Sequence, residues 1–201
     1  MKNLVTLTTV LILTLGALFL WDSPPQRLLK KDQITSQKQK SPPDFYIKSI
    51  SAHTYNENGE LNHTLTADNS FHYKREAKTE LEHPKMLITR EDGSLWYSEA
   101  HQGEAIQNGN IIRLHGKVKL QQFTSSKHYD TYNTQPQNQR PETEITTSQL
   151  TLKPKSKVAT TKKAVTIRTP DNKVDSVGLH ANLSQQQIEL LSRVQGEHRV
   201  Q

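Results

Sequence analysis

From Phe45 onward the apolar residues recur with a period of two, in short runs. Leu61, Leu65 and Ala67 fall on one side of such a run, and Asn62, Thr64 and Thr66 on the other. Val118 and Leu120 alternate in the same way with Lys117, Lys119 and Gln121. Alternation of this kind marks strands with one buried face. Turn dipeptides separate the runs. Asn58-Gly59 lies between Tyr46–Tyr55 and Leu61–Ala67, Asp92-Gly93 between Met86–Ile88 and Leu95–Tyr97, and Asn108-Gly109 ahead of Ile111–Leu114. Such pairs favour tight hairpins with positive φ. Thr169-Pro170-Asp171-Asn172 predicts a further turn, and His115-Gly116 a break between Ile112/Leu114 and Val118/Leu120. Ile188, Leu191 and Val194 recur at helical spacing, but the surrounding pattern favours a strand over Gln187–Val194. The whole stretch to His198 reads as roughly a dozen to fifteen short strands. Residues 125–143 interrupt them with a polar loop, Gln135–Pro141.

So many short strands with one apolar face imply sheets folded onto each other, as a sandwich or jelly roll. Ahead of them stands a segment of another kind. Leu4–Trp21 carries no charge, and its 18 residues would span roughly 27 Å as a helix, just enough for a bilayer core. No Ala-x-Ala cleavage site follows it, so an uncleaved anchor is favoured over a signal peptide. Lys2 precedes the segment while Arg27, Lys30 and Lys31 follow it, and this charge balance leaves orientation open. Thr6, Thr9 and Gly16 share one helical face on which a partner helix could pack closely. The expected organisation is an anchor over 1–21, a polar linker over 22–43 and a β domain over 44–198.

Composition sharpens this picture. Hydrophobic residues make up only 32% of the chain and mean hydropathy is −0.77. The packed faces must therefore meet along a narrow strip, or the interior must be a groove. Cys is absent, which excludes thiolate catalysis, Cys-ligated metals and disulfides. The chain lacks phosphate-binding glycine loops and the G-x-S-x-G nucleophile pattern. His53, His63 and His72 could converge across strands, but filling polar strand positions is the simpler role. Glu80 and Glu82 share a strand side and read as a solvated face. The formal charge is +6. Its one dense basic group, Lys153, Lys155, Lys157, Lys162 and Lys163, has no aromatic stacking platform, because residues 133–201 contain no Phe, Tyr or Trp. The reading is of a protein that is not an enzyme, needs no cofactor or metal and does not bind nucleic acid.

Several local signatures carry a resemblance. Tyr55-Asn-Glu-Asn-Gly59-Glu-Leu61 precedes Leu65-Thr-Ala67, and His72-Tyr73 precedes Leu81-Glu-His-Pro84. Asp92-Gly93, Trp96, Ala100 and Ile112-Arg-Leu-His-Gly116-Lys-Val118 follow. Thr146-Thr147, Gly178-Leu179, Asn182-Leu183 and Glu189-Leu190 complete the order. With its anchor, linker and single β domain, the chain resembles the LptC family, the membrane-anchored subunit of the lipopolysaccharide export system. The insertion over 125–143 is longer than the family pattern. The resemblance implies an all-β fold, a twisted antiparallel β-jelly roll with open edges behind one transmembrane helix. It implies an inner-membrane location with the C-terminal domain in the periplasm. It also implies acceptance of lipopolysaccharide from the ABC transporter LptB/LptF/LptG and delivery to LptA.

An acyl chain of ~12 carbons costs on the order of 10 kcal/mol to expose, so a carrier needs an apolar groove. The candidate lining residues are Ile50, Leu61, Leu65, Phe71, Leu81, Ile88, Trp96, Leu120, Ile188 and Leu190. Docking through open sheet edges makes Gly59, at the first hairpin, and Ile188, Leu190 and Val194, on the last strand, the candidate partner-binding residues. The alternative is a membrane-anchored β-sandwich scaffold or adhesion module without lipid cargo.

Overall fold

The computed structural model describes residues 42–135 and 139–198. The proposed anchor and nearly all of the proposed linker lie outside them. The elements run β1 Phe45–Tyr55, β2 Leu61–Tyr73, β3 Lys78–Glu82, β4 Lys85–Thr89, β5 Leu95–Glu99, β6 Gln102–Ile106 and β7 Ile111–Phe123. After helix α1 Ser126–Thr134 come β8 Thr143–Lys153, β9 Val158–Arg168, β10 Asn172–Asn182 and β11 Gln187–His198. Every pairing is antiparallel.

The register makes the architecture simple. Only His83-Pro84 separates β3 from β4, and only Ala100-His101 separates β5 from β6. β4 pairs with β5 while β3 pairs with β6. Each couple is thus one long strand broken at a corner, and the domain is a meander of nine long strands, fewer than the dozen or more short ones the sequence suggests. The others bend at the same level. Ser49, His83, Lys117 and Arg193 have φ of 51°, 48°, 48° and 50°, and Gly116 and Gly178 have 75° and 84°. A reversed φ turns the strand and costs least at glycine. His115-Gly116 is therefore a bend inside the continuous strand β7 and not a break between strands.

Folded along this line, the meander becomes two antiparallel layers that share every strand. The corner is knitted by backbone bonds from His83 N to His101 O (2.9 Å), Ala100 N to Pro84 O (3.2 Å) and His101 N to Gly116 O (3.0 Å). Where the ladder loses register, hydroxyls take over. Thr147 Oγ1 donates to Ala164 O (2.8 Å), and Ser192 Oγ to Val177 O (2.9 Å). Backbone groups at the bends are satisfied without a ladder partner.

Residues directly opposite on neighbouring strands share a face. Ala52, Leu65, Met86, Ser98, Leu120, Ile145, Ile167 and Val174 form one inward row. In the other layer Ala105, Ile112, Leu152, Ala159, Ala181 and Ile188 form another. Their meeting makes the core, with Trp96, Leu114, Leu150 and Leu179. It is the narrow strip the low apolar content requires.

A second, smaller cluster sits on the outer surface. Leu95, Tyr97 and Phe123 are covered by Tyr129 and Tyr132 of α1, with Phe123–Tyr129 and Phe123–Tyr132 ring centroids 5.3 and 5.2 Å apart. The Ser125 side chain caps the helix by accepting from His128 N at 3.2 Å. The insertion read as a loop thus holds a short helix. Its apolar face is two tyrosines, which polar neighbours hide from a periodicity search.

Two glycines separate turn strain from close packing. Gly59 has φ +80°, and a Cβ there would meet nothing within 4 Å. Gly178 has φ +84°, and a Cβ there would lie 2.9 Å from Leu191 Cδ1 and 3.1 Å from its Cβ. Gly59→Ala should cost about 1–2 kcal/mol, the left-handed backbone term alone. Gly178→Ala should cost a further ~1–3 kcal/mol for overpacking. Urea unfolding of both variants checks this, and equal losses would contradict the close approach of β11 to the bend.

Candidate functional site

The candidate lining residues divide by register. Leu65 and Leu120 lie in the inward row, Ile88 and Trp96 in the next row outward from the bend, and Ile188 in the inward row of the other layer. Leu81 stands opposite Gly103, which stands opposite Leu114 of the core. Ile50 stands opposite buried Ala67, and Leu190 opposite Leu179. Leu61, at the end of its strand, is exposed at the rim.

Phe71 differs. Its cross-strand neighbours are Glu80, then Glu104, then Arg113, and its ring stacks on Tyr46 at 5.3 Å. It belongs to the outer, charged face and does not line the interior. Phe71 shares the parity of inward Leu65 and Ala67, but the alternation on β2 shifts by one residue at the bend, so that Ser70 turns inward and Phe71 outward.

The interior is not evenly filled. At its centre Ile88, Trp96 and Leu120 are each only 1% exposed. Toward β1 the layers part. A cleft of about 740 Å³ lies there, with Ala52, Thr54, Tyr55, His63, Leu65 and Met86 on one side. Asn108–Asn110, Ile112 and Lys155 line the other. Its walls are mostly apolar. His63 points inward beside Thr54 and Ile88, and its Nδ1 is buried without a hydrogen-bond partner. Burial lowers the His63 pKa below the ordinary value, because desolvation disfavours the imidazolium.

The other histidines of the proposed trio go elsewhere. His53 Nδ1 lies 3.1 Å from Thr64 Oγ1, and His72 Nδ1 lies 3.0 Å from Thr79 Oγ1. The basic group also separates. Lys155 stands at the cleft rim, Lys157 borders a recess with Arg90, Asp92 and Ser184, and Lys162 and Lys163 sit mid-strand on β9. Glu80 pairs with Lys78 at 3.2 Å and Glu82 accepts from Asn69 Nδ2 at 2.7 Å. Both carboxylates serve the surface.

Both ends of the meander are edges. Among the described residues β1 pairs only with β2, and β11 only with β10. Gly59 is at the tip of the β1–β2 hairpin, where Asn56 Oδ1 accepts from Asn58 N (3.0 Å) and Glu60 N (2.9 Å). On β11, Ile188 and Leu190 lean on the core, while Val194 is 54% exposed. Sequence reasoning missed the exposed apolar residues Phe45, Tyr46, Ile47, Tyr55 and Leu191. The unbroken run Phe45-Tyr46-Ile47 was the available signal, since a strand buried on one face alternates.

Among the described residues no helix is long and apolar enough to cross a membrane. No curated protein matches the chain in sequence. Among solved structures it is similar to LptH, the LptA-homologous periplasmic component of the lipopolysaccharide transport device of Pseudomonas aeruginosa. That likeness covers 69% of this chain and 95% of the other, at 9% identity and a TM-score of 0.50, and shows the shared all-β sandwich or jelly-roll fold. The family model "Lipopolysaccharide-assembly, LptC-related" matches residues 9–199. With nearly the whole chain matched, the protein belongs to the LptC family of lipopolysaccharide-assembly proteins.

Proposed function

We propose that this non-enzymatic LptC-family protein accepts lipopolysaccharide from the inner-membrane ABC transporter LptB/LptF/LptG and passes it to LptA along the inner face of its folded sheet. Leu4–Trp21 holds it in the inner membrane as a single-pass anchor, with the β domain in the periplasm. One observation carries the reading: an inward apolar face runs through the meander from one unpaired edge strand to the other, and opens as a cleft near β1. Acyl chains gain ~0.8 kcal/mol per buried methylene on such a face, while sugars and phosphates stay in water. The unpaired edges offer backbone donors and acceptors for strand addition, β1 toward the transporter and β11 toward LptA. The packed centre around Trp96 favours the second reading, a scaffold without cargo, and the first experiment separates the two.

A photocrosslinker at Ile50 or Leu65 in living cells should capture lipopolysaccharide, and one at Phe71 or Lys119 should not. Lys119 lies on the outer face, paired with Glu99 at 3.0 Å. Equal labelling at all four positions, or none at Leu65, would leave the scaffold reading standing.

Replacing Leu191 and Val194 together by Glu should weaken LptA binding about tenfold or more, the usual scale for losing apolar anchors in an interface. Transporter association should persist. Pull-down of each partner decides the polarity; loss of the transporter with LptA retained would mean the bridge runs the other way.

His63 adds a pH dependence. Its folded-state pKa is depressed, so the unfolded chain takes up the proton first as pH falls. Stability is therefore fully present above about pH 6.5 and is lost as pH drops through that value toward the folded pKa. In thermal melts from pH 7.5 to 5, His63→Gln should remove a slope of at most one proton. An unchanged slope would mean the imidazole is not buried neutral.

A further inference from the structure

The two layers are tied together at the mouth of the fold by a strap on the side of the cleft away from β1. Arg90 follows β4 and is held in its own turn, with Nη1 donating to Ser94 Oγ at 2.8 Å and lying 2.9 Å from Asp92 Oδ2. Its Nη2 donates across the mouth to Ser184 O at 2.8 Å. The neighbouring Trp96 Nε1 donates to Leu183 O at 3.2 Å. Leu183 and Ser184 belong to the turn between β10 and β11, at the open end of the opposite layer. The Arg90 side chain is only 14% exposed. Its rigid fork is suited to satisfying Asp92, Ser94 and the carbonyl of Ser184 together.

We infer that this strap is a gate, with Arg90 as its positioning residue. It divides the inner face into an open receiving cleft and a closed stretch beyond. The inference rests on the lipid-transfer reading above. In the layer that carries Leu65, the cleft wall lies on β1, β2 and β4, and Ile145, Ile167 and Val174 lie beyond β5 on β8–β10; the β6–β7 turn, Ile112 and Lys155 line the cleft from the other layer. An acyl chain in the cleft meets Met86 and then the packed Ile88–Trp96 wall. It goes further only if Trp96 swings aside and the bonds to Leu183 and Ser184 break. Both acceptors are backbone carbonyls at a turn, so opening exposes them to water at the mouth instead of stranding them in the core. The broken hydrogen bonds then cost only their small net worth, and the larger part of the opening cost is the apolar surface that Trp96 gives up.

The test uses the full-length chain with Trp21→Phe, which leaves Trp96 as its sole tryptophan. Acrylamide quenching of Trp96 reads the strap without cargo. A diazirine amino acid at Leu65 or at Val174, with micelles of purified lipopolysaccharide, reads the cleft and the stretch beyond it. Arg90→Ala should raise Trp96 quenching and increase lipopolysaccharide labelling at Val174 about fivefold, the loss expected for one hydrogen bond. Labelling at Leu65 should stay unchanged. Arg90→Lys keeps the charge beside Asp92 but not the fork, and should fall between; it carries the comparison if the alanine variant does not fold. Unchanged quenching together with unchanged Val174 labelling overturns the gate. Absence of Leu65 labelling in every variant overturns the lipid reading instead, and quenching alone then decides whether the strap opens.

Discussion

Each long strand of this domain has to bend at the same level, and the remaining features follow from that line of bends. A flat nine-strand meander would expose one whole apolar face. Bending every strand through Ser49, His83-Pro84, Ala100-His101, Gly116-Lys117, Gly178 and Arg193 lets the two halves of that face cover each other. The alternation shifts by one residue at the bend on β2, where Ala67 and Ser70 are both buried, and carries straight across it on β7. On β7, Ile112 and Leu114 before it and Val118 and Leu120 after it are all buried. Pro84 has no N–H to lose from the ladder, and the two bend glycines carry the largest φ of the line.

A sheet folded across its strands keeps both of its edges. A barrel would have paired β1 with β11, and a closed sandwich would have covered them. Among the described residues each is an edge strand, paired on one side, with exposed apolar side chains, Phe45 to Ile47 at one end and Leu191 and Val194 at the other. Soluble proteins guard against such edges. Their presence at both ends, joined by a continuous inner face, leaves backbone groups open to strand addition at each end.

On the proposed function the inner face has two competing uses. Without cargo it is the hydrophobic core, and its centre is packed as a core should be, with Trp96 anchored to Leu183 O. With cargo it would have to contact acyl chains. Low apolar content reconciles these uses, because a narrow strip between layers hinged along one side can part at the mouth while the bend stays intact. The cleft beside His63 and Leu65 marks where packing is already least complete.

The amino-acid pattern alone determined the fold class, the hairpin turns and most of the inner face, because strand alternation and turn chemistry are local. Leu65 and Leu120 could be assigned to one side of their strands from their neighbours in sequence. What only the tertiary structure decided depends on which strand lies opposite. Phe71 goes to the outer face because its row holds Glu80, Glu104 and Arg113. The five-lysine group disperses because Lys153, Lys155 and Lys157 sit at the end of β8 and in the turn after it, while Lys162 and Lys163 lie mid-strand on β9. The helix after β7 forms because Phe123 and Tyr97 offer its two tyrosines an outer surface to cover. Arg90, unremarkable in its turn, reaches Ser184 94 residues away because the fold brings the two layer ends together, and no local pattern records that distance.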